Sequence, residues 1–378
     1  MPDLTILITL LTILLLLYTL FIALFTILNW IYHCRAHNPN KSTASLSPVS
    51  VIIPFRDEAA KLPSLVSSLS KQKYNDKIEY IFIDDNSTDE GSSILKKLCA
   101  RYNLSARIIP LTIDPTLKLT SKQQALDLGV LESQTDLIVF TDADMVFDPL
   151  WVSSLVSSMA HECDFVFGHT SIIEKKKSTL LTRLESFQLE TLFCFAHAFS
   201  AAHITGSCMG NNIIFKKENY LRIGGQKSIG YSIIEDRQLL YHFRKNGYKT
   251  RAQVPFSPKA FTYPSPSLRS FSNQARRWAR GGLGGGGSLL FFALLFFAQN
   301  VTFLAIIPDT LPLSVKVVAM LNFLLTWLFV ASGFKAFKAK EMVALFPLYY
   351  IFLIVETIIF GLLLVSGSKI EWKSRRVS

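Results

Sequence analysis

The sequence is poor in residues that build cross-links. Its five cysteines, Cys34, Cys99, Cys163, Cys194 and Cys208, are odd in number and contain no Cys-x-x-Cys pair. That disfavours a disulfide framework or a zinc site and fits a reducing, cytosolic setting, with the thiols as small buried hydrophobes. His161, His169, His197, His203 and His242 have no metal-like spacing either. Acid is scarcer than base, with 28 Asp and Glu against 39 Lys and Arg, giving a net charge of +11. No Lys or Arg precedes the first apolar run, and no internal repeat or low-complexity tract stands out beyond the glycine run GGLGGGG at 281–287.

Apolar side chains are abundant instead. Half of the 378 residues are hydrophobic and the mean hydropathy is +0.32, above the usual range of a soluble domain. Residues 5–32 are long enough to span a bilayer as one tilted helix. They lack a basic leading segment and exceed the apolar core of a cleaved signal peptide, so residues 1–33 read as an uncleaved transmembrane anchor. Stretches at 288–307, 313–334 and 342–365 also meet the spanning length, which makes about three helices within 288–366, followed by a basic tail at 367–378. Glu356 lies near the middle of the last stretch, and an intramembrane acid is a functional candidate by default. The interval 47–280 has ordinary globular composition and is large enough to bury a full core.

Much of the excess positive charge flanks apolar segments, at Arg35, Lys41, Arg276, Arg277, Arg280, Lys335, Lys338 and Lys340 and in the tail. Basic residues there favour the cytoplasmic side and anionic headgroups, a better reading than nucleic acid. The positive-inside rule puts the N-terminus outside and 47–280 in the cytosol. Three further spans then put the tail outside, against the rule, so a re-entrant segment stays open as an alternative.

Within 47–280, short β-branched runs alternate with helical spacing. Strands are expected at 49–55, 78–83, 106–111 and 137–141, and helices at 59–70, 90–102 and 122–131. This alternation argues βαβ units and a mostly parallel sheet. A strand is expected at 164–173, a long Phe-rich helix or pair of helices at 180–202, and a helix at 234–246 ended by Gly247.

Acidic and aromatic clusters punctuate this pattern. Asp84-Asp85-Asn86-Ser87-Thr88-Asp89 follows a strand; a carboxylate there can accept from a base N–H or a ribose hydroxyl, although the same residue types also cap helices. Asp142-Ala143-Asp144 ends another apolar run. Two acids there suit a hard divalent cation shared with substrate phosphates, or simply an exposed acidic turn. Glu235-Asp236 opens a helix, where the dipole favours negative charge and where Asp236 is a candidate general base. Gln274-Ala275-Arg276-Arg277-Trp278 sets an amide, guanidinium groups and an indole before an apolar stretch, suited to diphosphate and sugar contact or to interfacial anchoring.

Taken together, these residues resemble membrane-integrated family 2 glycosyltransferases. The resemblance runs from VSVIIPFRDE through DDNSTD, Lys122-Gln123-Gln124-Ala125-Leu126, DAD, Gly210-Asn211-Asn212, Gly224-Gly225 and Glu235-Asp236 to QARRW. It departs at Ser121, where the family often has Gly. The resemblance implies an α/β fold of the GT-A type, Rossmann-like with a mostly parallel sheet, flanked by transmembrane helices. It implies an inverting transfer from a nucleotide-diphospho-sugar, a UDP-sugar above others, with Mg2+ or Mn2+. By it, Asp84, Asp85, Lys122 and Asp142 would bind the nucleotide sugar, and Asp142 and Asp144 the metal. Asp236 would be the base, and Glu235, Gln274, Arg277 and Trp278 would line the acceptor and diphosphate site. The arrangement of spans is similar to that of ceramide glucosyltransferases and related lipid glycosyltransferases, which implies a lipid acceptor at a membrane. A processive polysaccharide synthase of the cellulose, hyaluronan or poly-N-acetylglucosamine type and a non-catalytic membrane scaffold are the alternatives. The few spans argue against the first, and retention of every acidic cluster against the second.

Overall fold

The computed structural model describes residues 2–36, 47–159, 163–174, 178–254, 257–283, 294–295, 297–300, 311–365, 370–372 and 375–377. Most of the span expected at 288–307 and much of the basic tail lie outside the described residues. In chain order the described α-helices are α1 (Pro2–Ala36), α2 (Leu62–Leu69), α3 (Gly91–Arg101), α4 (Ser121–Glu132), α5 (Trp151–Met159), α6 (Leu180–Ala201), α7 (Lys217–Arg222), α8 (Gly225–Ile229), α9 (Glu235–Lys245), α10 (Leu268–Leu283), α11 (Leu313–Ala336) and α12 (Phe346–Val365).

Two compact units are present. One is Ala36–Lys175 with His203–Pro264, an α/β unit; the other is Met1–Arg35 with Lys176–Ala202 and Ser265–Ser378, a helical unit. The interval 47–280 is therefore divided: α6 and everything after Pro264 pack with the helices. The reason is visible in α6, which buries Phe187, Phe193, Phe195 and Phe199 together and suits a helical environment on several sides.

The α/β unit is built on β1 (Val49–Phe55), β2 (Ile78–Asp84), β3 (Ala106–Pro110), β4 (Leu137–Phe140), β5 (Met145–Phe147), β6 (Phe165–Phe167), β7 (Thr170–Ile172), β8 (Ile213–Lys216), β9 (Thr250–Ala252) and β10 (Ala260–Thr262). Seven strands form one sheet in the order β3-β2-β1-β4-β8-β6-β9, and β5-β10-β7 form a second. β1 runs parallel to β2 and β4, β2 to β3, and β6 to β9, while β8 is antiparallel to β4 and β6. This is the mixed α/β arrangement with a mostly parallel sheet that the alternation predicts. The central strands are continuous Val, Ile and Phe runs because helices cover both faces. α4 lies so close to β1 that a Cβ on Gly129 would collide with Ile52 Cγ2. The expected strand at 164–173 is instead two strands in different sheets. The break falls at Gly168, where a Cβ would meet the Asn212 side chain at 2.5 Å. α9 ends as expected: Gly247 has φ +81° and its N–H reaches the Arg244 carbonyl at 3.0 Å,.

In the helical unit, Leu15, Tyr18, Ile22, Phe25 and Asn29 make one buried stripe along α1,. Tyr18 and Thr326 share a hydrogen bond at 3.0 Å, and the Thr19 hydroxyl donates to Asn322 at 2.7 Å. Phe195 and Phe329 rings lie 4.7 Å apart, and α6 meets α11 at Gly333, where a Cβ would collide with Cys194 Sγ. Small residues at helix contacts with a few interhelical hydrogen bonds are the packing mode that works in lipid. Among the described residues, Leu4–Tyr32 and Leu313–Ala336 are long and apolar enough to cross a membrane.

Candidate active site

The strand order places the site. From β1 the chain moves outward to β2 and β3, then returns to the other side of β1 for β4. Ligands in such sheets bind beyond the carboxyl ends of the strands at that reversal. The register aligns Phe55 with Asp84 and Ile52 with Phe140, so Arg56, Asp85 and Asp142 leave the same edge of three adjacent strands. The antiparallel β8 starts at that edge too, since Ile213 pairs with Phe140.

The two acids of the first pair differ. Asp84 accepts the Ser87 N–H at 2.9 Å with one oxygen and the Ser92 hydroxyl with the other, so its carboxylate ties the turn to α3. Asp85 points the other way and is 8% exposed. It accepts the Ser121 hydroxyl at 2.6 Å and lies 3.9 Å from an Arg56 guanidinium nitrogen. Ser121, the departure from the family pattern, thus supplies a bond that glycine lacks. Asp57, with φ +52°, accepts the backbone N–H groups of Thr88 and Asp89 and the Thr88 hydroxyl. Those bonds hold its carboxyl below the usual range.

Each acid of the second pair faces a lysine. Lys122 Nζ lies 2.9 Å from Asp142 and 3.0 Å from Glu235. Lys61 Nζ lies 3.4 Å from Asp144 and 3.1 Å from Glu58. Burial alone would lower both ammonium pKa values, but the paired carboxylates outweigh it and push both up,. Among the described residues no three His, Cys, Asp or Glu side chains form a protein-made metal cage. Asp142 and Asp144 stand about one-third exposed at the strand edge. Two accessible carboxylates without a third protein ligand fit a hard cation that takes its remaining oxygens from phosphates and water.

Lys122 occupies the first turn of α4, which is fixed by a capping box between Thr120 and Gln123,. Gln123 is fully buried. Its amide also donates to the Gly230 carbonyl at 2.8 Å and accepts the Ser232 N–H at 3.2 Å, which anchors the loop leading to Glu235.

Asp236 accepts the Arg237 N–H at 2.7 Å and the Gly210 N–H at 2.7 Å. Burial, then the neighbouring Glu235 charge, push its carboxyl up to about 6 against the opposing pull of Lys122. The Gly210-Asn211-Asn212 loop is itself cemented: Thr141 donates to the Asn211 carbonyl at 2.7 Å, and the Trp151 indole N–H to Asn212 at 2.9 Å.

The structure thus gathers Asp142, Lys122, Glu235 and Asp236 into one polar chain, with Asp85 and Asp144 on the same strand edge. Gln274, Arg277 and Trp278 belong to α10 in the helical unit. Gln274 is half-buried, and the side chains of Arg277 and Trp278 lie outside the described residues. Lys61 and Gln123 escape sequence reasoning because surface lysines and cap-forming glutamines occur on many ordinary helices. The capping spacing Thr120-x-x-Gln123 was the available signal for the second.

Residues 50–224 match the family model described as "Glycosyl transferase family 2". The chain is 28% identical over 249 residues to the Bacillus subtilis protein named "Probable glycosyltransferase YdaM", covering 62% of this chain and 55% of that one. It is 24% identical over 247 residues to a beta-monoglucosyldiacylglycerol synthase of Nostoc sp., covering 65% and 51%. The chain spans about half the length of the curated relatives it matches. A solved mannosyltransferase from Pyrobaculum calidifontis, in complex with GDP-Man and Mn2+, is similar with a TM-score of 0.50 at 17% identity, over 93% of this chain and 98% of that one. At that identity the likeness is one of fold.

Proposed function

We propose that this chain, whose residues 50–224 match a family 2 glycosyltransferase model, is a glycosyltransferase that moves a sugar from a nucleotide-diphospho-sugar to a membrane lipid. The observation that carries the reading is the chain Asp142–Lys122–Glu235 beside Asp236, whose carboxyl is pushed up to about 6. A carboxylate poised there is suited to take a hydroxyl proton at neutral pH.

In this reading Asp85 and Arg56 face the nucleoside, a uridine before others, while Asp84 maintains the turn. Asp142 and Asp144 hold Mg2+ or Mn2+, which when bound supplies positive charge to offset the departing diphosphate. Lys122 keeps Asp142 and Glu235 paired, and Lys61 keeps Asp144 compensated. Asp236 removes the proton from the acceptor hydroxyl as its oxygen attacks the anomeric carbon and the sugar–phosphate bond breaks. One displacement inverts the anomeric centre. Gly210 orients the base. Gln274, Arg277 and Trp278 serve the acceptor and diphosphate. A lipid acceptor is supported by the two long apolar helices, by the exposed apolar face of α1 and by the name of the Nostoc relative. On this reading the protein is integral to the membrane, with its catalytic unit in the cytosol.

The test uses purified protein in lipid vesicles with Mn2+ and a panel of labelled nucleotide sugars. Label is then partitioned between organic solvent and a high-molecular-weight pellet. Label in the organic phase is expected. Label confined to the pellet would replace the lipid reading with a polysaccharide synthase.

A further inference from the structure

Gln123 holds more than its own helix end. Its side chain is fully buried, and each end of its amide makes two bonds. The carbonyl oxygen accepts the Thr120 N–H at 3.0 Å, which closes the capping box of α4, and the Ser232 N–H at 3.2 Å,. The amide nitrogen donates to the Gly230 carbonyl at 2.8 Å and to Gln226 Oε1 at 3.2 Å. A backbone N–H only donates and a backbone carbonyl only accepts, so these partners settle which end of the amide faces which. Two bonds at each end use all that a glutamine amide can make. One side chain therefore ties together the first turn of α4, the helix α8 and the two peptide groups that flank Tyr231.

One turn along α4, on the same face, Asp127 accepts the Gln226 N–H at 3.0 Å and the Tyr220 hydroxyl,. Asp127 thus secures α7 and α8, and Gln123 extends the grip to the loop that follows them. That loop leads to the acids. The Ser232 hydroxyl accepts the Ile234 N–H at 3.2 Å, and Ile234 precedes Glu235 at the start of α9. Glu235 lies 3.0 Å from Lys122, the neighbour of Gln123 in the first turn of α4. The contacts close a ring: Gln123 to the loop, the loop to Glu235, Glu235 to Lys122, and Lys122 back to Gln123 through the chain. A closed ring leaves the start of α9 little freedom to slide along α4.

We infer that Gln123 is a positioning residue for the reaction, holding the loop at 230–234 on α4 so that Glu235 stays on Lys122 and Asp236 keeps its place beside them. The inference rests on the reading of Asp236 as the base. Gln123→Met keeps the length of the side chain and removes all of its bonds, while Thr120 still caps α4 through its hydroxyl, which accepts the residue 123 N–H at 3.1 Å. Gln123→Glu keeps the acceptor bonds and turns an oxygen toward the Gly230 carbonyl, so the loop is pushed away from a filled core.

The test compares Gln123→Met, Gln123→Glu and Tyr220→Phe in the full chain in vesicles. Tyr220→Phe breaks the bond to Asp127 in the same packing of α7 and α8 on α4 and leaves the loop bonds in place. The readouts are kcat and KM for the lipid labelled in the partition experiment, calorimetric binding of the nucleotide sugar that labels it, and Tm. Both Gln123 variants are expected to lower kcat about tenfold, the cost of a displacement of a few tenths of an ångström, with donor Kd and lipid KM within about twofold. Tyr220→Phe is expected to lower Tm and to leave kcat within about twofold. Gln123→Met placed on Asp236→Asn should lose no more activity than Asp236→Asn, because both changes act through one group. Parental kcat in either folded Gln123 variant, with activity lost in Asp236→Asn, overturns the positioning role alone. Parental kcat in Asp236→Asn overturns the base reading and this inference with it. An equal loss of kcat in Tyr220→Phe, or a further tenfold loss in the double variant, marks Gln123 as a packing contact and also overturns the inference.

Discussion

Gly210 donates its backbone N–H to Asp236 at 2.7 Å, and a Cβ on residue 210 would stand 3.0 Å from Asp236 Cβ. The bond and the close approach come together: the loop can orient the carboxylate only because it carries no side chain there. Gly210→Ala is therefore expected to push Asp236 by a few tenths of an ångström and to lower kcat about tenfold, since an ångström of misplacement costs about a hundredfold. Donor binding, measured by calorimetry, should persist. Wild-type kcat in a folded Gly210→Ala protein would falsify the orienting role.

Asp236 must be ionised to act as a base, so kcat should rise with pH through about 6. Glu235→Gln removes a charge that raises this pKa, and the acidic limb should move to lower pH. Asp236→Asn should lower kcat about a thousandfold while nucleotide binding stays. The stability effect has the opposite sign. The folded pKa lies above the ordinary carboxyl value of 3.8, so the folded state holds this proton more tightly. Its contribution to stability is therefore present at low pH and declines as pH rises from 3.8 through about 6,.

Lys122→Met leaves Asp142 and Glu235 without their shared cation. Breaking a fully buried pair costs about 3–5 kcal/mol, and these partly exposed groups should lose about 2 kcal/mol in chemical denaturation. The pH limb should also move upward, because Lys122 opposes the rise in the Asp236 pKa. A limb that stays in place would show that Lys122 does not sense the base.

Lys61 and a divalent cation are alternative positive partners for Asp144. Lys61→Met should therefore tighten Mn2+ binding about threefold to tenfold, read as loss of the free-ion EPR signal, on the order of 1 kcal/mol of relieved repulsion. Weaker Mn2+ binding in this variant would move the metal away from Asp144.

Gly129→Ala tests the packing that carries Lys122. Its Cβ would collide with the Ile52 side chain, so α4 must shift from β1. Overpacking of this kind costs about 1–3 kcal/mol, more than alanine's gain in helix propensity. A variant as stable as the parent would show that α4 has room to move.

Much of the candidate site was legible because its signals are local. Apolar runs ending in Asp84-Asp85 and Asp142-Ala143-Asp144 announce strands whose carboxyl ends carry acids, and β1, β2 and β4 lie where the runs predicted. The helix at Glu235 and its stop at Gly247 were legible for the same reason. The division of labour between Asp84 and Asp85 was not. Adjacent acids look alike in a sequence, but successive residues leave a strand in opposite directions, one toward Ser87 and Ser92 and the other toward Ser121,. The departure of α6 to the helical unit was equally hidden, since its phenylalanines suit either core.

The sequence by itself determined the alternation of strands and helices from β1 to β4, the position of each acidic cluster and the apolar runs long enough to cross a membrane. All of these follow from periodicity and run length within a few turns of chain. Tertiary structure alone decided that Lys122 joins Asp142 to Glu235, that Lys61 guards Asp144, that Gly210 holds Asp236, and that Gln123 ties α4 to the loop before Glu235. Ion pairs and hydrogen bonds act over about 3 Å between residues far apart in the chain. A hydrophobic pattern reports which face of an element is buried, not which distant side chain it will meet.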